Sequence, residues 1–184
     1  MGVAIAECAS EMGASVSLVL GPVDIKPKSK DINVTNVTSA EAMADACLSL
    51  FPDCDIAVLT AAVADFTPVS VADNKIKKQK SEISLKLKPT TDIAATLGKM
   101  KKQNQIIVGF ALETNDEVEN ARKKLLHKNM DFIVLNSLND EGAGFGYDTN
   151  KITIIDRNNT VDKFELKSKD EVAKDILNKV TSYK

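Results

Sequence analysis

Asp55-Ile56-Ala57-Val58-Leu59-Thr60-Ala61-Ala62-Val63-Ala64-Asp65-Phe66-Thr67-Pro68 is the stretch on which the fold class turns. Ile56 to Leu59 form an unbroken apolar run with no alternating polar residue, the pattern of a strand covered on both faces. Small residues follow, then a single acid at Asp65 and a turn at Thr67-Pro68. Ile106-Ile107-Val108 repeats the buried-strand pattern. Strands of this kind belong to parallel sheets with helices on either side.

Working outward, helical and strand patterns alternate. Met1, Ala4, Ile5, Cys8, Ala9 and Met12 fall on one helical face, and Gly13 stops it. Residues 16–20 read as a strand closed by Gly21-Pro22, and 31–37 as a weaker one. Ser39 is a natural N-cap for a helix over 40–51. Thr91 or Asp92 caps a helix to about 102, followed by a strand at 105–109, a helix at 116–128 and a strand at 131–135. Segments 151–156 and 163–166 suit a C-terminal β-hairpin turning at 157–160, and Ser168 caps a last helix to about 180. The expected architecture is one α/β domain over 1–184, a Rossmann-like doubly wound, mainly parallel sheet. Such sheets open strand–loop–helix, whereas this chain opens on a helix. The expectation is that a first strand and N-terminal loop lie upstream of Met1.

Composition narrows the function. With 184 residues, 43% hydrophobic and 27% charged, the chain is of single-domain size and ordinary globular make-up. There is no basic leader and no apolar run of membrane-spanning length. A net charge of -2 argues against a general nucleic-acid binder. The three cysteines, Cys8, Cys47 and Cys54, form no CxxC pair, which suits a reducing cytoplasm. A single histidine, His127, excludes multi-histidine metal sites and lies among the lysines of a helix end. Three N-x-T sequons, at Asn33, Asn36 and Asn158, carry no weight in such a protein.

Residues 69–88 depart from the alternation. Residues 75–88 hold six lysines against one glutamate, and Ile83, Leu85 and Leu87 alternate with Ser84, Lys86 and Lys88. This is strand patterning on a protruding arm. Its lysines can neutralise a polyanion or simply guard an edge strand against aggregation. In open parallel sheets ligands bind beyond the carboxyl ends of the strands. That places the loop after Leu59, the loop after Val108 (Gly109-Phe110-Ala111-Leu112-Glu113-Thr114) and Asn136-Ser137 around one cleft. Lys124 and Lys128 share a helical face and could reach a polyanion there, or could be solvated. Gly142-Ala143-Gly144-Phe145-Gly146 precedes a strand rather than a helix, so it reads as a loop and not a dinucleotide fingerprint.

Ala61-Ala62-Val63-Ala64-Asp65-Phe66, Lys75-Ile76-Lys77-Lys78 and Gly109-Phe110-Ala111-Leu112-Glu113-Thr114, in this order, resemble phosphopantothenate–cysteine ligase, the synthetase half of the bacterial bifunctional coenzyme A biosynthesis protein. Met1-Gly2-Val3-Ala4-Ile5-Ala6 resembles the end of that family's Ser-Ser-Gly-Lys-Met-Gly motif, and Asn129-Met130-Asp131 with Asn136 also fits. The resemblance implies a cytoplasmic enzyme that couples 4'-phosphopantothenate to cysteine. It implies CTP as co-substrate, an acyl-cytidylate intermediate, release of CMP, and magnesium. A homodimer is implied too, with the 69–88 arm in the pairing.

By the same resemblance, Leu59, Thr60 and Ala61 line the nucleotide pocket, and Asp65 serves nucleotide and Mg2+. Lys75 contacts phosphate, with Lys75 and Asp65 the residues closest to the chemistry. Thr91, Asp92, Ile93 and Ala94 form a nucleotide-contacting helix start, Thr91 standing where the family usually has proline. Phe110 packs on the base, and Lys124 and Lys128 contact nucleotide; Ala62 and Asn136 touch substrate. The family's Asn-x-Ser-Ser-Gly-Lys loop and its flavin-dependent decarboxylase half have no counterpart in 1–184. Two other readings compete. One is a nucleotide-binding fragment without turnover. The other is an NAD- or flavin-binding oxidoreductase domain, which needs a glycine fingerprint that is not visible here.

Overall fold

The computed structural model describes residues 1–70, 72, 74–76, 83–113, 116–137 and 147–183, the side chains of 113 and 137 excepted. Lys77, Lys78 and Lys80 of the arm, Thr114 and the 142–146 glycine loop lie outside the described residues.

The capping residues start the helices as their chemistry requires. α1 (Gly2–Glu11) is ended by Gly13, whose φ of +86° an L side chain rarely adopts. Ser39 Oγ accepts the Ala42 amide at 3.1 Å to open α2 (Ala40–Leu50), which runs into a 3-10 turn at Phe51–Asp53. Asp92, rather than Thr91, caps α3 (Ile93–Met100), its Oδ1 accepting from Ala95 N at 3.0 Å. α4 spans Glu117–His127. Ser168 and Glu171 form a reciprocal capping box at the head of α5 (Lys169–Thr181).

The central sheet contains β3 (Ile56–Leu59), β6 (Ile106–Glu113), β7 (Phe132–Ser137), β9 (Ile152–Asp156) and β10 (Val161–Lys163), in the order β10-β9-β7-β6-β3. β3, β6 and β7 are parallel, while β9 and β10 pair antiparallel. Side-chain alternation divides the core in two. Val108, Phe132 and Val134 face α1 and α5 residues such as Ile5 and Ile176. Ile107, Ile133 and Leu135 face Ala44, Leu97 and Leu125 of α2, α3 and α4. A mainly parallel sheet wound on both faces is therefore what these runs form.

Three boundaries differ from expectation. β6 does not end at 109 but continues to Glu113, and β7 to Ser137, because the two stay in register from Val108↔Phe132 to Glu113↔Ser137. Phe110 and Asn136 thus sit on strands, not in loops. The second hairpin strand is Val161–Lys163, earlier than 163–166. Past Phe164, whose amide still reaches Ile152 O at 3.0 Å, the chain leaves to pair β11 (Lys167–Ser168) with β8 (Thr149–Asn150). At the arm, β4 (Phe66–Pro68) pairs antiparallel with β5 (Leu87–Pro89). Residues 83–86 are not strand, and Ile83, Leu85 and Leu87 are all exposed, because among the described residues no second layer covers a face of the arm. β1 (Val16–Leu20) and β2 (Ile32–Asn36) form a separate parallel pair.

Candidate functional site

Beyond the carboxyl end of β3 lies a cavity of about 350 Å3, within the size range of small-molecule sites. Leu59, Thr60, Ala61 and Asp65 form one wall. Thr91, Asp92, Ile93 and Ala94, at the start of α3, form a second, and Phe110 of β6 reaches in from the sheet. Lys124 and Lys128 of α4 and its C-cap close the remaining side. Segments up to about seventy residues apart are gathered because parallel strands deliver their following loops to one edge.

The walls are pinned to one another. Thr90 donates its hydroxyl to Ala64 O at 2.6 Å and its amide to Asp65 O at 2.9 Å, so the small-residue loop is fixed to the entry of α3. A Cβ on Gly2 would lie 2.7 Å from Thr60 Oγ1, so only glycine lets the first turn of α1 come this close to the loop. Lys128 Nζ pairs with Asp92 Oδ2 at 3.0 Å. Burial pushes the Asp92 carboxyl up, but the Ala95 amide and Lys128 outweigh it and hold the group below its ordinary value. Asp92 is thus an anion committed to a helix cap and a cation.

Other expected residues fall elsewhere. Lys75 is exposed and stands outside the wall of this cavity. Ala62 lines an adjoining, larger cleft of about 1100 Å3 that shares Gly2, Thr60, Ala61 and Val63 with the first. Asn136 points into neither; its Oδ1 accepts from Asn150 Nδ2 at 3.2 Å, tying β7 to β8. The periodic reading had passed over the larger cleft, where Lys26 and Lys28 meet Lys169 and Lys174. Its only sequence signal is the run Lys26-Pro27-Lys28-Ser29-Lys30. Thr90 was missed as well, since a hydroxyl that holds a loop leaves no periodic mark.

Nucleophilic and metal chemistry find little here. Burial pushes the thiols of Cys8, Cys47 and Cys54 above their ordinary value. Among the described residues no group of three or more His, Cys, Asp or Glu is placed to hold a metal ion. No helix among them is long and apolar enough to cross a membrane. The site offers a pocket with an aromatic side, a capped helix start, two lysines and a second carboxylate, Asp65, with no side-chain partner among the described residues. That combination can bind and orient an anionic ligand.

Comparison with known proteins places the chain in a family. The chain is 61% identical over 180 residues to a cysteine/cysteine sulfinic acid decarboxylase from an unknown prokaryotic organism, covering 98% of this chain and 50% of that protein. It is 45% identical over 182 residues to the coenzyme A biosynthesis bifunctional protein CoaBC of Bacillus subtilis (strain 168), covering 99% of this chain and 45% of that one. Among solved structures, the C-terminal domain of a coenzyme A biosynthesis bifunctional protein CoaBC superposes with a TM-score of 0.81 at 35% identity, over 97% of this chain and 79% of that one. The chain spans about half the length of the curated relatives it matches. The family model for the DNA/pantothenate metabolism flavoprotein C-terminal domain matches residues 1–183, and to that family the chain belongs.

Proposed function

We propose that this domain is the ligase part of a coenzyme A biosynthetic protein, joining 4'-phosphopantothenate to cysteine at the expense of a nucleotide, with CTP preferred. The observation that carries the reading is the single cavity shared by Thr60, Ala61 and Asp65, the α3 start, Phe110, Lys124 and Lys128, in a chain related to CoaBC proteins.

In the proposed reaction an oxygen of the substrate carboxylate attacks the nucleotide α-phosphorus, and pyrophosphate leaves. The cysteine amine then attacks the acyl carbon, loses a proton, and CMP departs. Carboxylate and triphosphate repel, so the first step needs cations. Lys124 and Lys128 supply charge from the cavity wall, and Lys75 supplies it if the arm swings toward the phosphates. Magnesium, which binds through one or two carboxylates plus substrate phosphates, fits a site whose available acid is Asp65, and when bound it supplies further charge neutralisation. Phe110 offers its ring to the base. No protein nucleophile is required, in keeping with three buried or half-buried thiols and an exposed His127 at a helix end. The exposed Ile83, Leu85 and Leu87 suit pairing of two copies through the arm, and a flavin-dependent decarboxylase domain would precede this one in the longer protein.

The test is ligation by purified protein given phosphopantothenate, cysteine and magnesium, with CTP and ATP compared and product and CMP or AMP followed by mass spectrometry. Coupled product with CTP supports the proposal. CTP binding by calorimetry without product supports the second reading, a nucleotide-binding module lacking turnover. Neither product nor binding overturns both.

A further inference from the structure

Lys128 lines the smaller cavity, but the next residue, Asn129, lines neither cleft and is exposed. It is nevertheless the point at which α4, α3 and the β9–β10 turn are joined. Its φ of +53° is left-handed, and the amides of Asn129 and Met130 return to Leu126 O at 3.2 Å and Leu125 O at 3.0 Å. Paired bonds of this kind end a helix on a left-handed residue. Glycine is the usual residue there, because it has no Cβ, and asparagine is the alternative. Here the asparagine side chain has work beyond that conformation. Its Nδ2 donates to Gly98 O at 2.6 Å, a carbonyl in the last turn of α3, where helical donors run out. Its Oδ1 accepts from Arg157 Nη2, in the turn between β9 and β10. A donor toward a carbonyl and an acceptor toward a guanidinium fix which way the amide faces. A carboxylate could serve Arg157 but not Gly98 O.

The same backbone step places Lys128. Gly98 leaves room for the Lys128 carbonyl oxygen, which a Cβ there would approach to 2.0 Å. The Lys128 backbone therefore rests on the last turn of α3, while its Nζ reaches Asp92 Oδ2 at 3.0 Å, at the N-cap of the same helix. Asp92 and Gly98 are about 9 Å apart along the helix axis. Lys128 thus lies along α3, and its ammonium comes to the cavity mouth only while its backbone keeps that place. On the far side the Asp131 carboxylate takes Lys101 Nζ and the Ile107 amide, so the chain after Asn129 is fixed as well. We infer that Asn129 is a positioning residue for the cavity: its amide, by bonding Gly98 of α3 where α4 ends, sets where the Lys128 ammonium stands and so the charge that an anionic ligand meets. The Arg157 contact carries the same constraint to the C-terminal hairpin. That the ligand is a nucleotide rests on the function proposed above; the placement of Lys128 against Asp92 does not.

Asn129→Gly tests it. Glycine accepts a φ of +53°, and the exposed site gives up no core packing, so the fold is kept and only the two side-chain hydrogen bonds go. Two readouts follow Lys128 rather than stability. The first is the titration of the Asp92 carboxyl by carbon-13 NMR. Burial pushes that group up, and the Ala95 amide and Lys128 hold it down; His127, the other charge acting on it, is the same in every variant. The midpoint is expected to rise in Asn129→Gly toward that of Lys128→Ala. The second is CTP affinity by calorimetry in a double-mutant cycle. Asn129→Gly is expected to weaken CTP about five-fold in the parent and less than about two-fold in Lys128→Ala, because the asparagine acts through that lysine. An unchanged Asp92 midpoint, or an unchanged CTP affinity in Asn129→Gly, overturns the inference. Equal weakening in the two backgrounds also overturns it, since Asn129 would then act by another route. A parent that does not bind CTP would count against the nucleotide reading instead, and the Asp92 titration would then decide by itself whether Asn129 places Lys128.

Discussion

Lys128 Nζ lies 3.0 Å from Asp92 Oδ2, so the end of α4 is tied to the N-cap of α3 across the mouth of the cavity. The pair is 28% and 49% exposed, and at such exposure an ion pair contributes at most about 1 kcal/mol to stability. Lys128→Ala is therefore expected to unfold close to the parent temperature but to bind CTP about ten-fold more weakly, about 1.4 kcal/mol. The lost cation also leaves the Asp92 carboxylate facing the phosphates. Asp92→Ala, by contrast, removes a cap worth about 1 kcal/mol. Calorimetric titration beside thermal unfolding separates the two. Unchanged CTP affinity in Lys128→Ala would leave that lysine as a tie between helices only.

Acid should act through the same carboxylate. Its folded value lies below the ordinary one, so its stabilisation is complete above the unfolded value and is lost as pH falls below about 4. Asp92→Asn removes this dependence while keeping an acceptor for the Ala95 amide. Thermal unfolding from about pH 6 to about pH 3 should show a shallower decline in Asp92→Asn. Parallel curves for the two proteins would exclude the linkage.

Two glycines should differ in their tolerance of a methyl group. A Cβ on Gly98 would stand 2.0 Å from the Lys128 carbonyl oxygen, whereas one on Gly109 would stand 2.3 Å from Met130 Sδ. Backbone cannot yield as a thioether side chain can. Gly98→Ala is expected to cost about 3 kcal/mol or more and Gly109→Ala about 1–3. Denaturant titration orders them, and the reverse ranking would contradict the packing of α3 against the end of α4.

Lys75 is exposed, outside the cavity wall, on a lysine-rich arm. Lys75→Ala should leave stability within about 0.5 kcal/mol of the parent. If the arm brings it to the phosphates, turnover in an active form of the protein falls about a hundred-fold, in keeping with loss of one charge-stabilising contact. Full turnover would remove Lys75 from the chemistry.

Leu85 and Leu87 are 64% and 55% exposed on the arm. Replacing both with aspartate puts charge where a second copy would pack, so sedimentation should report a monomer with an unaltered circular dichroism spectrum. A dimer that survives the double substitution would place the contact elsewhere.

The order of elements was legible because period, caps and buried runs act locally. Ser39, Asp92 and Ser168 start helices wherever the chain goes next, and Ile56 to Leu59 reads as buried whatever lies beside it. Boundaries that depend on a neighbour were not legible. β6 reaches Glu113 only because β7 stays in register alongside it. The glycine loop at 142–146 and much of the arm lie outside the described residues.

For the candidate site, the sequence by itself determined which residue types follow which strands, and hence that Thr60, Ala61, Asp65 and Phe110 would lie near the sheet's carboxyl edge. Only tertiary structure decided that Thr90 would hold the loop by Ala64 O, that Lys128 would be engaged with Asp92 and that Asn136 would turn to Asn150. The physical reason is that hydropathy periodicity records which face of an element is buried, whereas a hydrogen bond or an ion pair depends on what topology brings to that face from elsewhere in the chain.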